Sequence, residues 1–107
     1  MANFEVDTEQ RSDEVVVRLS GDMDLAAFDA VDEVLANAQS NGHRSLTIDL
    51  SGLQFIDSTG IRLLLLAHQR AEERGEGFCI VKGNQRIQRV FALTDLDGRL
   101  PFCDDET

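Results

Sequence analysis

Two hydrophobic periods take turns along this chain, and only a fold that seats both is open to it. Between Phe4 and Thr8 apolar and polar residues alternate, with Phe4, Val6 and Thr8 on one side and Glu5 and Asp7 on the other. That is the period of a half-buried strand. Gln10 to Asp13 is polar and reads as a turn, and Val15-Val16-Val17-Arg18-Leu19 is a β-branched second strand, a hairpin partner for the first. Ser20-Gly21-Asp22 ends it. From Leu25 the period lengthens: Leu25, Phe28, Val31, Val34 or Leu35, and Ala38 recur at helical spacing, with Asp29, Asp32 and Glu33 between them. Asp24 suits the N-cap, and Asn41-Gly42 stops the helix.

The alternation repeats. Leu46 to Leu50 reads as a third strand, Ser51-Gly52 as a turn, and Gln54-Phe55-Ile56 as a further extended piece. A long helix runs from about Ser58 to Arg74 and ends in Gly75 to Gly77. Phe78 to Val81 is a fourth strand, Asn84 caps a helix carrying Ile87, Val90, Phe91 and Leu93, and Asp97-Gly98 turns into a last strand near Leu100 to Phe102. The order β-β-α-β-α-β-α-β predicts an α/β domain, a mixed sheet of about five strands with helices packed against it. The opening hairpin supplies the antiparallel pair. A chain of 107 residues holds one such domain, drawn here as residues 1–102 with a short acidic tail at 103–107.

Charge narrows the partners. Twenty acidic against ten basic side chains leave a net charge of −10, so a nucleic-acid backbone and an anionic membrane surface are both repelled. Met1 to Glu5 has no basic or apolar segment of the secretory kind. The longest apolar run, Leu63 to Ala67, is far too short to span a bilayer. The expected location is the cytoplasm. Cys79 lies in the apolar run Phe78 to Val81 and reads as a core residue, whereas Cys103 sits in the tail. Their spacing fits no zinc pattern. A reduced pair is the reading taken for them, with a disulfide as the alternative.

Asp57-Ser58-Thr59-Gly60 joins an extended segment to the start of the long helix. Ser58 reads as the N-cap, and Gly60 as a point of close backbone approach. The first N–H groups of a helix lack intrahelical partners and carry the positive end of its dipole, so a phosphate on Ser58 is tolerated locally. It would add about −1.5 to −2 charge near Asp57, and near Asp22 and Asp24 if their loop lies alongside. The segment from Ile61 to Ala67 is apolar on more than one helical face. Leu63 or Leu66 is the residue expected to emerge beside Ser58 in a docking patch.

No catalytic constellation accompanies this serine. His68 lies about ten residues along the helix, roughly 15 Å away. His43 has no nucleophile elbow to serve, and no phosphate-binding glycine loop exists. Asp22, Asp24 and Asp57 read as solvated carboxylates in preference to a Mg²⁺ site, and Arg86, Arg89 and Arg99 as solvated surface. No metal and no cofactor is called for, and the chain is not read as an enzyme.

Three stretches resemble a known family. Ser20-Gly21-Asp22-Met23-Asp24 is similar to its strand-end Gly-Glu-hydrophobic-Asp pattern. Leu46 to Gly60 carries its Asp-Leu-Ser-Gly-Leu and Phe-Ile-Asp-Ser-Thr-Gly elements. Thr94 to Pro101 is similar to the end of its penultimate helix and last strand. The chain thus resembles the bacterial anti-sigma factor antagonists, the free-standing form of the STAS domain, over nearly its whole length. It departs in having Ile61 where leucine is usual, and in stopping too soon for the family's further C-terminal helix, which leaves a groove uncovered.

The resemblance implies that the unphosphorylated protein binds an anti-sigma factor that is also a serine kinase, releasing a sigma factor. Phosphorylation by that kinase at Ser58, rather than at Thr59, ends the complex, and a serine phosphatase restores it. The partner-binding set it implies is Asp22, Met23, Asp24, Asp57, Ser58, Thr59, Gly60 and Leu63. The competing expectation is an adaptor subunit of a lipid-transport or signalling complex on the same fold, with Ser58 serving only as a helix cap.

Overall fold

The computed structural model describes residues 4–40 and 42–103. The strands β1 (Phe4–Arg11), β2 (Glu14–Met23), β3 (Ser45–Ile56), β4 (Gly77–Val81) and β5 (Phe102–Cys103) form one sheet in chain order. The β1–β2 pair is antiparallel and every later pair is parallel. The crossovers are α1 (Phe28–Ser40), α2 (Ser58–Arg74) and α3 (Gln85–Leu93). This is the mixed five-stranded α/β sheet that the alternating periods predict.

Strand alternation places Val15, Val17 and Leu19 of β2, Leu46, Ile48 and Leu50 of β3, and Ile80 of β4 on the face that the helices cover. Val31 and Leu35 of α1, Leu63, Leu64 and Ala67 of α2, and Ile87 and Phe91 of α3 complete that core. Between α1 and α2, buried Gln39 donates from Nε2 to the Ala67 carbonyl at 2.9 Å, and Arg70 pairs with Asp32 at 3.2 Å. Most buried polar groups find such a partner; Gln39 Nε2 does, while its Oε1 and Arg70 Nη1 have none among the described residues.

The other sheet face is polar. Glu9 pairs with Arg11 and with Arg18, each at 2.8 Å, and Arg18 reaches Asp49 at 3.7 Å. The hydrogen bonds from Arg11 and then Arg18 hold the Glu9 carboxyl down to about 2. Thr47 donates to Glu14 at 2.7 Å. Pairs this exposed contribute little to stability and serve to keep the face wet.

Several boundaries differ from the sequence expectation. β1 runs on to Arg11, so the turn is only Ser12-Asp13. β2 continues through Gly21 to Met23, and β3 passes through Ser51-Gly52 unbroken. The parallel β2–β3 ladder absorbs these polar and glycine residues by register shifts between Arg18 and Ser20 and between Gly21 and Asp22. The strands crowd at Gly52, where a Cβ would stand 3.1 Å from Ser20 Cβ and its neighbour would have to give by a few tenths of an ångström. The first helix opens as a 3₁₀ turn at Leu25–Ala27, with the Asp24 side chain accepting from Ala26 N. β5 takes in Cys103, the first residue of the expected tail. The expectations for Met1 to Asn3, Asn41 and residues 104–107 lie outside the described residues.

The two cysteines are joined. A disulfide links Cys79 to Cys103 across β4 and β5, correcting the reduced pair. Cys79 is also not a core residue. It follows core-facing Phe78 and precedes buried Ile80, so alternation turns it to the polar face. Among the described residues, no helix is long and apolar enough to cross a membrane.

Candidate functional site

The C-terminal ends of β2 and β3 bring the sequence-predicted residues together. Asp22 pairs with Phe55 and Met23 with Ile56, so Asp22-Met23-Asp24 lies alongside Phe55-Ile56-Asp57. The Asp57 N–H donates to the Met23 carbonyl at 3.4 Å, which closes the junction just before α2 begins.

Asp57, not Ser58, caps the helix. Its backbone is extended, and Oδ1 accepts from Thr59 N at 2.9 Å and from Gly60 N at 3.2 Å. Ser58 is the first helical residue and exposed, and its hydroxyl takes no hydrogen bond from any described residue. The physical reason is tertiary. The strand ladder holds residue 57 in the extended conformation that an N-cap requires, so the cap falls one residue earlier than expected. Thr59 is half-buried. Gly60 is buried, and a Cβ there would stand 2.7 Å from Ile56 Cγ1 and 3.1 Å from Met23 Cγ. A side chain at 60 would therefore push the helix start away from the loop that carries Asp22 and Asp24.

Asp57→Ala is expected to cost about 1 kcal/mol and to lower the unfolding midpoint by roughly 5 °C. Ser58→Ala should stay within about 0.5 kcal/mol of the wild type. Urea and thermal unfolding of the two variants check this, and equal losses would return the cap to Ser58.

Besides Gly60, two expected contact residues lie beneath the surface. Met23 and Leu63 are both 0% exposed and belong to the core. Leu63 points to the sheet because α2 buries positions 60, 61, 63, 64, 67 and 71, a wide stripe against β3 and α1. Leu66 is half-buried, and Leu65 is the leucine turned outward. Leu65 is seven residues from Ser58, two turns along the same face, with exposed Arg62 between them.

Sequence reasoning missed the exposed apolar groups at the junction that leads into Ser58. Leu25 is 73% exposed on the turn after Asp24, and Phe55 is 48% exposed beside Asp22. In the sequence Leu25 reads as one more residue of the helical apolar stripe, and Phe55 as part of an extended piece. The missed signal is the junction itself, where a strand end and a helix start leave their terminal apolar residues uncovered.

The histidines stand apart. His68 stacks on Phe78 with ring centroids 5.4 Å apart and faces Glu72 at 3.7 Å. His43 lines a small groove with Thr8, Gln10 and Val15. It precedes β3, whereas Ser58 follows that strand, so the two occupy opposite ends of it. A cleft of about 570 Å³ beside the site is lined by Gln54, Asn84, Gln85, Arg86 and Arg89, amides and guanidinium groups with no acid–base pair. Among the described residues, no three His, Cys, Asp or Glu side chains gather as a metal site. The arrangement is a surface at the junction of β2, β3 and α2, with an accessible hydroxyl at Ser58, exposed apolar side chains at Leu25, Phe55 and Leu65, and carboxylates at Asp22, Asp24 and Asp57.

A family model described as "Mlab, STAS domain" matches residues 6–102. The anti-sigma F factor antagonist of Paenibacillus polymyxa is 26% identical over 108 residues, covering 97% of this chain and 90% of that protein. A solved anti-sigma factor antagonist from Mycobacterium paratuberculosis superposes with a TM-score of 0.84 at 25% identity, covering 94% of this chain and 85% of that one. SpoIIAA in its unphosphorylated form gives a TM-score of 0.78, and Bacillus SpoIIAA in the phosphorylated form 0.72. Each SpoIIAA chain is 21% identical and covers 97% of this chain, which covers 89% and 92% of theirs. The mixed five-stranded sheet with three helices is the fold these antagonists share with this chain.

Proposed function

The chain belongs to the STAS-domain family, and on that premise we propose that it is an anti-sigma factor antagonist whose binding is switched off by phosphorylation of Ser58. Its partner is an anti-sigma factor that is also a serine kinase, and a serine phosphatase restores the binding form. The protein acts by binding in the cytoplasm and is not an enzyme; it is the substrate of both regulators.

One observation carries the reading. Ser58 is exposed at the first position of α2, while Asp57 does the capping. The hydroxyl is thus available to a kinase, and its modification removes no bond that the fold uses. The helix N-terminus and Arg62, four residues on, favour the added charge, so the phosphate leaves the fold intact and acts on the docking surface. That surface is Leu25, Phe55 and Leu65 around Ser58, with the half-buried carboxylates Asp22, Asp24 and Asp57 calling for a partner with basic groups at its rim. Met23, Gly60 and Leu63 support it from below. Thr59 is the poorer acceptor because it is half-buried. SpoIIAA, known in both phosphorylation states, is the precedent on this fold.

The second reading is a constitutive adaptor subunit of a larger complex, and the name Mlab in the family description favours it. On that reading Ser58 serves only as a helix cap, a task that Asp57 performs. Incubation with the partner kinase and ATP, followed by mass spectrometry, separates the two. The expected result is one phosphate, on Ser58. Phosphate on Thr59 alone, or none with a kinase shown to bind, removes the switch and leaves the adaptor.

A further inference from the structure

We propose that the Cys79–Cys103 disulfide is a reversible latch on the C-terminal edge of the sheet, opened by a dithiol reductant. The bond joins residues 24 apart in sequence and closes a loop that contains the whole of α3. Besides the bond, the edge strand is held by the packing of Leu100 and Phe102 on the core and by a short ladder. Among the described residues β5 is Phe102–Cys103 and pairs through Ile80–Phe102 and Val81–Cys103. The Ile80 N–H donates to the Pro101 carbonyl at 3.0 Å, and the Phe102 ring meets Phe91 edge-on at 5.1 Å. A strand this short at an edge has low local stability once its covalent tie is gone.

Access favours opening. Both cysteines are half-buried rather than buried. Core-facing Ile80 and Phe102 place them on the polar sheet face, away from the helices. Structural disulfides resist exchange when buried, and those that solvent reaches are the labile ones. The step balances as thiol–disulfide exchange. A thiolate of the dithiol attacks one sulfur, the Cys79–Cys103 bond breaks and a mixed disulfide forms. The second thiol of the reductant then displaces the remaining protein sulfur. Two electrons and two protons pass to the protein, which leaves as two thiols, and the reductant leaves as a cyclic disulfide.

Opening changes a surface. Phe102 is one wall of a groove of about 460 Å³ shared with Lys82, Gln88, Arg89, Ala92 and Asp97. Release of β5 removes that wall, bares Phe91 and leaves β4 as an unpaired edge. The Ser58 surface is built on β2, β3 and α2, none of which the latch ties.

The Ile80 amide is the reporter. Hydrogen exchange of the whole chain, followed by NMR with and without dithiothreitol, should show its exchange at least tenfold faster in the reduced protein. The amides of Val17 and Ile48 in the central strands should be unchanged. Cys103→Ser should exchange at Ile80 like the reduced wild type and ignore dithiothreitol. Unchanged exchange at Ile80 after full reduction overturns the latch. So does a disulfide that dithiothreitol opens only when the whole chain unfolds, or a pair that remains as free thiols in air-oxidised protein.

Discussion

Ser58→Asp is expected to bind the partner kinase at least about a hundredfold more weakly than the wild type, with Ser58→Ala binding as the wild type does. The exposed hydroxyl follows Asp57 at the junction of the β2 and β3 ends, where exposed Leu25 and Phe55 and the half-buried Asp22 and Asp24 also stand. Docking strips water from whatever occupies position 58. A hydroxyl gives up little. A carboxylate enters the contact among three others and loses its hydration, and the partner's basic groups, already matched to Asp22, Asp24 and Asp57 at the rim, leave it no cation of its own. The same carboxylate is harmless to the free protein, because an acid at the first helical position meets the positive end of the α2 dipole. Calorimetric titration against the kinase, beside thermal unfolding of each variant, therefore reads an interface effect free of a folding effect. Equal affinities for Ser58→Asp and wild type would place residue 58 outside the interface.

That design depends on which residue caps α2, and there the sequence was ambiguous in a specific way. Asp57 and Ser58 are neighbours, and both are good N-caps. Local chemistry cannot say which of them leaves the helical conformation. The choice comes from the pairing of Met23 with Ile56 and the Asp57 N–H bond to the Met23 carbonyl, contacts between segments more than thirty residues apart. The element order and the parallel core were legible, because periods of two and of 3.6 apolar residues are local signals. The strand extents were not. Gly21 and Ser51-Gly52 carry the residues of turns, yet they lie inside a ladder whose register shifts accommodate them. The disulfide was illegible for a related reason. Only the parallel pairing of β4 with β5 brings Cys79 and Cys103 within 5.6 Å between Cα atoms.

The same limit applies to the apolar stripe of α2 and yields a crossed prediction. Leu63→Ala should cost about 2–5 kcal/mol and lower the unfolding midpoint by on the order of 10–20 °C. Leu63 is fully buried in the core that the helices share with the sheet, and its truncation leaves a cavity there. Phe55→Ala should do the reverse. Nearly half of that ring faces solvent, so folding loses little, but docking loses an aromatic anchor beside Ser58. A weakening of about thirtyfold, near 2 kcal/mol, is the scale of such a residue at the centre of an interface. Measured below the midpoint of the weaker variant, Leu63→Ala should bind the kinase within about threefold of the wild type, a difference under 1 kcal/mol. The two residues are both large and apolar, and both lie within five positions of Ser58. Their opposite behaviour follows only from burial. Should Leu63→Ala lose affinity while still folded, and Phe55→Ala keep it, the docking surface would have to move off the β2–β3 strand ends and onto the core-facing side of α2.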